Sequence, residues 1–289
     1  MEIQVFIIDA FTNLPFKGNP AAVCLLMHEL SDDIYLKTAA EFNLAETAFI
    51  TKVDQSDSFT TGSRFSLQWF TPTTEINLCG HATLASAAAL FQHKKNINPV
   101  LVFETRSGDL SVTRQGGSYV MDFPLNPPTK EWDYILVFVY VIQAAVRNHP
   151  VQDVYLSSNT KKLAIRLADS CGRSVLTSLK VDPVALQSSE TSGRVMEVII
   201  TMKGSPDEQP GYDFYYRNFS PWYGIPEDPV TGSDLTVIGS YWSEELGKKK
   251  MLAYQCSSRG GELELEVRDD GRINITGQTV TVLQGTITL

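Results

Sequence analysis

"RFSLQWFTPTTEINLCGHATLASAAALF", residues 64–91, has an echo in "DFYYRNFSPWYGIPEDPVTGSDLTVIGSYW", residues 213–242. Each passage is an aromatic-rich alternating strand, then Phe, Thr or Ser, and Pro, then a loop, a Gly and an apolar helix. Phe219 follows Phe70 by 149 residues, Gly232 follows Gly80 by 152, and the turn at Arg259 follows that at Arg106 by 153. Three offsets that agree this well describe two copies of one unit, and a period this long excludes a solenoid. The helix after Gly80 is apolar almost all round, as a helix enclosed by a sheet must be. The helix after Gly232 ends at Gly247, followed by Lys248 to Lys250, a stop signal with cations at the negative end of the dipole.

Most of the remaining chain alternates in the strand manner, with turn residues between runs; "RDDGRI" (268–273) is a strong hairpin signal. The expected fold is therefore α+β: two pseudo-symmetric domains, each a strongly curved sheet wrapped around a central helix. The Pro-rich "FPLNPPTKEW" (123–132) reads as the crossover, placing an N-terminal domain at 1–123 and a C-terminal domain at 124–277.

The chain has 289 residues, enough for two cores, and a net charge of −9. With no basic run beyond Lys248 to Lys250, neither a nucleic acid nor an anionic membrane is an expected partner. Cys24, Cys79, Cys171 and Cys256 form no C-x-x-C pair, and "MEIQVFIIDAF" lacks the basic start of a signal peptide. A reduced, cytoplasmic setting is the expectation. "YILVFVYVIQAAV" (134–146) is too short to span a bilayer and reads as a buried strand or helix.

A helix start offers unpaired N–H groups and partial positive charge, and glycine lets a ligand approach. Two such starts, at Cys79-Gly80-His81 and Thr231-Gly232-Ser233, are the expected corners of one cleft for a small carboxylate-bearing molecule. Glu46 interrupts the apolar "FNLAETAFI" (42–50) and is the candidate to take and return a proton. His81 is a second acid/base candidate, and Asp228 one to orient it or hold a substrate amine. A hydrolase triad from Ser233, His81 and Asp228 lacks the G-x-S-x-G elbow. A two-thiol racemase lacks its second thiol, because Thr231 stands where the repeat places a partner for Cys79. His28, His81, His93 and His149 show no metal-ligand spacing, and no phosphate-binding glycine motif is present, so neither metal nor cofactor is expected.

"AFTNLPFKGNPAAV" (10–23), "NLAETAF" (43–49), "NLCGHATLASA" (77–87) and "EDPVTGS" (227–233) together resemble the motif set of the PhzF-like isomerases, over essentially the whole chain. The resemblance implies the diaminopimelate-epimerase-like fold, with the last strand (278–289) returning to the N-terminal domain. It implies a cofactor-independent isomerase with Glu46 as proton shuttle, supported by His81, Asp228 and Ser233. Gly80, Gly232, Asn19 and Thr231 would bind substrate. The family often forms homodimers, and its vertebrate branch implies a WD-repeat protein as a partner. One departure stands out: where the family usually continues Ala-His after "EDPVTGS", this chain has Asp234-Leu235. An acid there would repel a substrate carboxylate, which keeps open the alternative of a catalytically weak scaffold protein on the same fold.

Overall fold

The computed structural model describes residues 1–130, 134–204 and 211–289. It resolves into two compact units, Met1–Phe123 with Asn274–Leu289, and Pro124–Ile273. The chain re-enters the first unit at Asn274, four residues ahead of the position 278 expected from the sequence. The last two residues of the Pro-rich crossover, 131 and 132, lie outside the described residues.

The first unit runs β1 (Glu2–Ala10), β2 (Asn19–Leu26), α1 (Asp32–Phe42), β3 (Glu46–Lys52), β4 (Arg64–Phe70), β5 (Glu75–Ile76), α2 (Gly80–Ala88), β6 (Val100–Thr105), β7 (Gly108–Gln115) and β8 (Ser118–Pro124). Every residue of α2 is buried. Its Ala-rich surface lets β1, β2 and β3 close around it, because small side chains permit near approach of the backbones. On the opposite face α1 inserts Tyr35 and Ala39 against Phe49 and Phe70.

The second unit runs α3 (Tyr134–Val137), α4 (Val139–Val146), β9 (Val151–Ser157), β10 (Lys162–Leu167), α5 (Arg173–Ser178), α6 (Pro183–Ser188), β11 (Glu197–Lys203), β12 (Phe214–Ser220), β13 (Ile225–Asp228), α7 (Leu235–Leu246), β14 (Lys250–Gln255) and β15 (Gly261–Val267). The chain crosses back within β16 (Arg272–Gly277), and β17 (Thr279–Thr288) pairs antiparallel with β1. Trp242 anchors α7, stacking on Phe214 at 5.4 Å and donating its indole N–H to Thr201 Oγ1 at 3.0 Å.

Strand pairing repeats unit for unit. In the first, β1–β2 is antiparallel, β2–β3 parallel, β3–β4 antiparallel, β4–β6 parallel and β6–β7 antiparallel. In the second, β9–β10, β10–β11, β11–β12, β12–β14 and β14–β15 follow the same sequence of directions. Strand period separates the faces: Leu163 and Ile165 of β10 join the core under α4, whereas Arg166 turns to Tyr241 of α7.

The apolar segment 134–146 is helical but only half buried. Val141, Ile142, Ala145 and Val146 enter the core, while Leu136 and Tyr140 are 74% and 72% exposed. The run is apolar on both sides, so its composition hid the helical period that decides which side faces inward. No helix among the described residues is long and apolar enough to cross a membrane.

Candidate functional site

Glu46 and Asn19 are brought together by strand register. The parallel pairing of β2 and β3 sets Ala21 beside Glu46, so both strands begin at the same edge of the sheet. Asn43, in the left-handed conformation (φ 50°), ends α1 and leaves only Leu44 and Ala45 before Glu46. At that edge α2 begins. Cys79 occupies its N-cap in an extended conformation and accepts the Ala82 N–H through Sγ at 3.4 Å. His81, the second residue of the helix, is thereby set against Glu46, with Nε2 3.0 Å from Oε2.

Both partners are buried, His81 at 2% and Glu46 at 5% exposure. Their contact is at ion-pair distance. On the other side of the ring, Nδ1 lies 3.0 Å from the Asn19 carboxamide nitrogen and 3.4 Å from Cys79 Sγ. Burial opposes a charge on His81, but the acidic groups against the ring, Cys79 and Glu46, outweigh it and hold its pKa well above the ordinary value. Burial pushes the Cys79 thiol up to about 11, against the pull of the His81 ring beside it. An imidazolium takes the oxygen end of the Asn19 carboxamide at Nδ1, a half-turn of the amide.

The second unit gathers Asp228, Thr231, Gly232 and Ser233. The Thr231 hydroxyl donates to Asp228 Oδ2. The Gln255 carboxamide holds the same turn, accepting the Thr231 N–H at 2.5 Å and donating to the Asp228 carbonyl at 2.7 Å. Gly232–Asp234 forms a single 3-10 turn leading into α7. Asp228 and Ser233 belong to a different unit from Glu46 and His81.

Asp234 is fully buried. Lys162 Nζ donates to its Oδ1 at 2.7 Å, to Glu197 Oε2 at 2.8 Å and to Ser233 Oγ at 3.0 Å. The Asn218 carboxamide donates to both Asp234 and Glu197. Burial raises the Asp234 pKa to about 7 against the pull of Lys162. The acid anticipated as a repulsive group is thus met from within by an ammonium ion and an amide.

Lys162, Glu197 and Asn218 escaped the sequence reading, yet a signal for Glu197 existed. It follows Glu46 by 151 residues, inside the 149 to 153 range of the repeat, and it opens β11 as Glu46 opens β3. Each unit therefore carries one acid at the start of its third strand. Glu46 meets an imidazole and Glu197 an ammonium.

Residues 8–285 match the family described as Phenazine biosynthesis-like protein, PhzC-PhzF. The chain is 53% identical to phenazine biosynthesis-like domain-containing protein 2 of Mus musculus, and 39% identical to a Halalkalibacterium halodurans protein named an uncharacterized isomerase; each match covers 100% of both chains. The crystal structure of a PhzF-family protein from Enterococcus faecalis matches with a TM-score of 0.84 and 35% identity, covering 100% of both chains. A hydroxyproline epimerase from Agrobacterium vitis, at 10% identity, a TM-score of 0.59 and 100% and 93% coverage, shares the fold alone. These likenesses define the class: an α+β protein of the diaminopimelate-epimerase-like fold. The chain belongs to the phenazine biosynthesis-like (PhzF) family.

Proposed function

We propose that this chain is a cofactor-independent isomerase that moves a proton on a small carboxylate-bearing substrate. Glu46 carries the proton, His81 holds compensating charge, and Asp228 and Ser233 position the substrate. The observation that carries this reading is the buried Glu46–His81 pair, 3.0 Å apart. A buried carboxylate can accept a proton from carbon, and a neighbouring imidazolium stabilises the charge on it. Two bacterial relatives are themselves named isomerases.

The contrast with Glu197 supports one proton carrier rather than two. Lys162 and Asn218 both donate to Glu197 Oε2, an arrangement suited to holding a carboxylate still. A racemase working from two faces of one carbon needs two mobile acids, whereas a proton returned to another atom of the same substrate needs one.

Glu46→Gln keeps shape and removes the base. It is expected to abolish exchange of solvent deuterium into a bound carboxylate ligand, found by screening cyclic and unsaturated acids, while leaving the ligand's affinity within about threefold, since the change removes transition-state rather than ground-state interactions. Exchange by the Gln variant at the parent rate would end the assignment.

A further inference from the structure

Lys162 does more than neutralise Asp234. An ammonium ion has three N–H donors, and here each is used: on Asp234 Oδ1 at 2.7 Å, Glu197 Oε2 at 2.8 Å and Ser233 Oγ at 3.0 Å. Charge balance accounts for the two carboxylates; it does not account for the serine. We propose that Lys162 is a positioning residue, which occupies a lone pair of Ser233 and so sets that hydroxyl as a donor to a carboxylate oxygen of the substrate. The inference rests on the isomerase reading, which gives Ser233 the task of positioning the substrate, and it deepens that reading by naming what orients the serine.

A serine hydroxyl left to itself rotates, and it both donates and accepts. An ammonium only donates, so Ser233 Oγ accepts from Lys162 and its own proton is directed elsewhere. Among the described residues no protein group takes that proton. Both residues are buried, where a hydrogen bond is stronger than in water. Donation by a charged nitrogen also polarises the hydroxyl and strengthens the bond it makes in turn. The ammonium is itself held in place. Lys162 opens β10 and is the register partner of Glu197 at the start of β11. Asn218 of β12 donates to both carboxylates, which keeps them aimed at Nζ. Asp234, standing where the family motif usually has Ala, directly follows Ser233 and takes the ammonium at the shortest of the three distances. It therefore ties the start of α7 to β10 and keeps Nζ beside the serine.

Benzoate, a small cyclic carboxylate, is the probe, titrated into the full chain and followed in NMR spectra by the Gly232 amide and the Lys162 ammonium resonances. Ser233→Ala is expected to weaken benzoate by about tenfold or more, as loss of a hydrogen bond to a charged group does. Lys162→Met with Asp234→Leu keeps Ser233 but should bind as weakly, with a urea midpoint near that of the parent. Adding Ser233→Ala to that pair should then change the affinity by less than about twofold. In the parent, benzoate should shift the Lys162 ammonium resonance, and in Ser233→Ala it should not. That comparison decides the matter should the double variant fold poorly. A lysine with a structural role alone would leave Ser233→Ala as costly in the double variant as in the parent, and that result overturns the proposal. So does an ammonium resonance indifferent to benzoate, or a parent that does not bind it. Turnover is not measured, so a failed cycle leaves the deuterium-exchange test of Glu46 standing, and absent exchange leaves the cycle intact.

Discussion

Lys162 and Asp234 show how two charges survive out of water. Each was desolvated, and each is repaid by the other and by Asn218, Glu197 and Ser233. Removing one partner leaves the other without compensation, which costs about 3–5 kcal/mol, whereas removing both in favour of apolar groups is close to neutral. Lys162→Met is therefore expected to lower the stability of the second unit by about 3–5 kcal/mol, and Lys162→Met with Asp234→Leu to recover most of the loss, read from urea denaturation. Equal loss in the single and double variants would assign the effect to packing alone. His81 makes a pH-dependent contribution whose sign follows from its raised pKa. A group that binds its proton more tightly folded than unfolded stabilises fully below the unfolded value, about 6.5 for histidine, and loses that contribution as pH rises through the folded value. The stability advantage of the parent over His81→Gln should therefore shrink as pH is raised from about 6 upward, measured as the difference in urea midpoints. An advantage that grows with pH would mean that His81 does not hold its proton more tightly in the folded chain.

At the scale of elements, the site depends on where strands and helices begin. Gly18 has φ +65°, and a Cβ there would stand 2.1 Å from the Ala10 carbonyl oxygen. That contact is with backbone, which cannot swing aside, and the next residue is Asn19, the first of β2 and the neighbour of His81. Gly18→Ala should cost about 1–3 kcal/mol from the left-handed conformation and the overlap together, and should shift the His81 ring resonances in an NMR spectrum. Gly116→Ala, also at positive φ (59°) but with nothing within 4 Å, should leave that ring unmoved. The beginnings of α2 and α7 were legible in the sequence because a Gly before an apolar run is a local signal. Glu46 was legible for the same reason, as one acid in an apolar stretch. Lys162 was not. "KKLAIRL" (161–167) offers two lysines and no mark of which turns inward, and Asp234 lies 72 residues further on. Only strand register and the position of α7 decide the pairing, and both are tertiary facts.

The largest scale is the duplicated plan, legible because the repeat preserved the order of aromatic strand, Gly and helix even where individual residues changed. What the repeat alone could not supply is closure of the first unit. β1 has β2 on one side and β17 on the other, with register running from Glu2 opposite Thr288 to Ala10 opposite Thr279. The strand carrying Val5, Phe6 and Ile8 into the core is therefore interior only because the chain returns after Gly277. Gly277 itself permits that return, since a Cβ there would meet Phe11 at 2.5 Å and Leu84 of α2 at 2.9 Å. Ending the chain before Thr279 would leave β1 as an open edge, with unpaired N–H and C=O groups in a largely apolar strand. Its amides should exchange with solvent at least about tenfold faster, as local opening no longer has to break a ladder on that side. Amides of β10 and β11, whose ladders lie wholly within the second unit, should keep their protection. A uniform rise in exchange through β1, β10 and β11 alike would show instead that the two units unfold as one, and that the terminal strand secures the whole chain and not only the unit it closes.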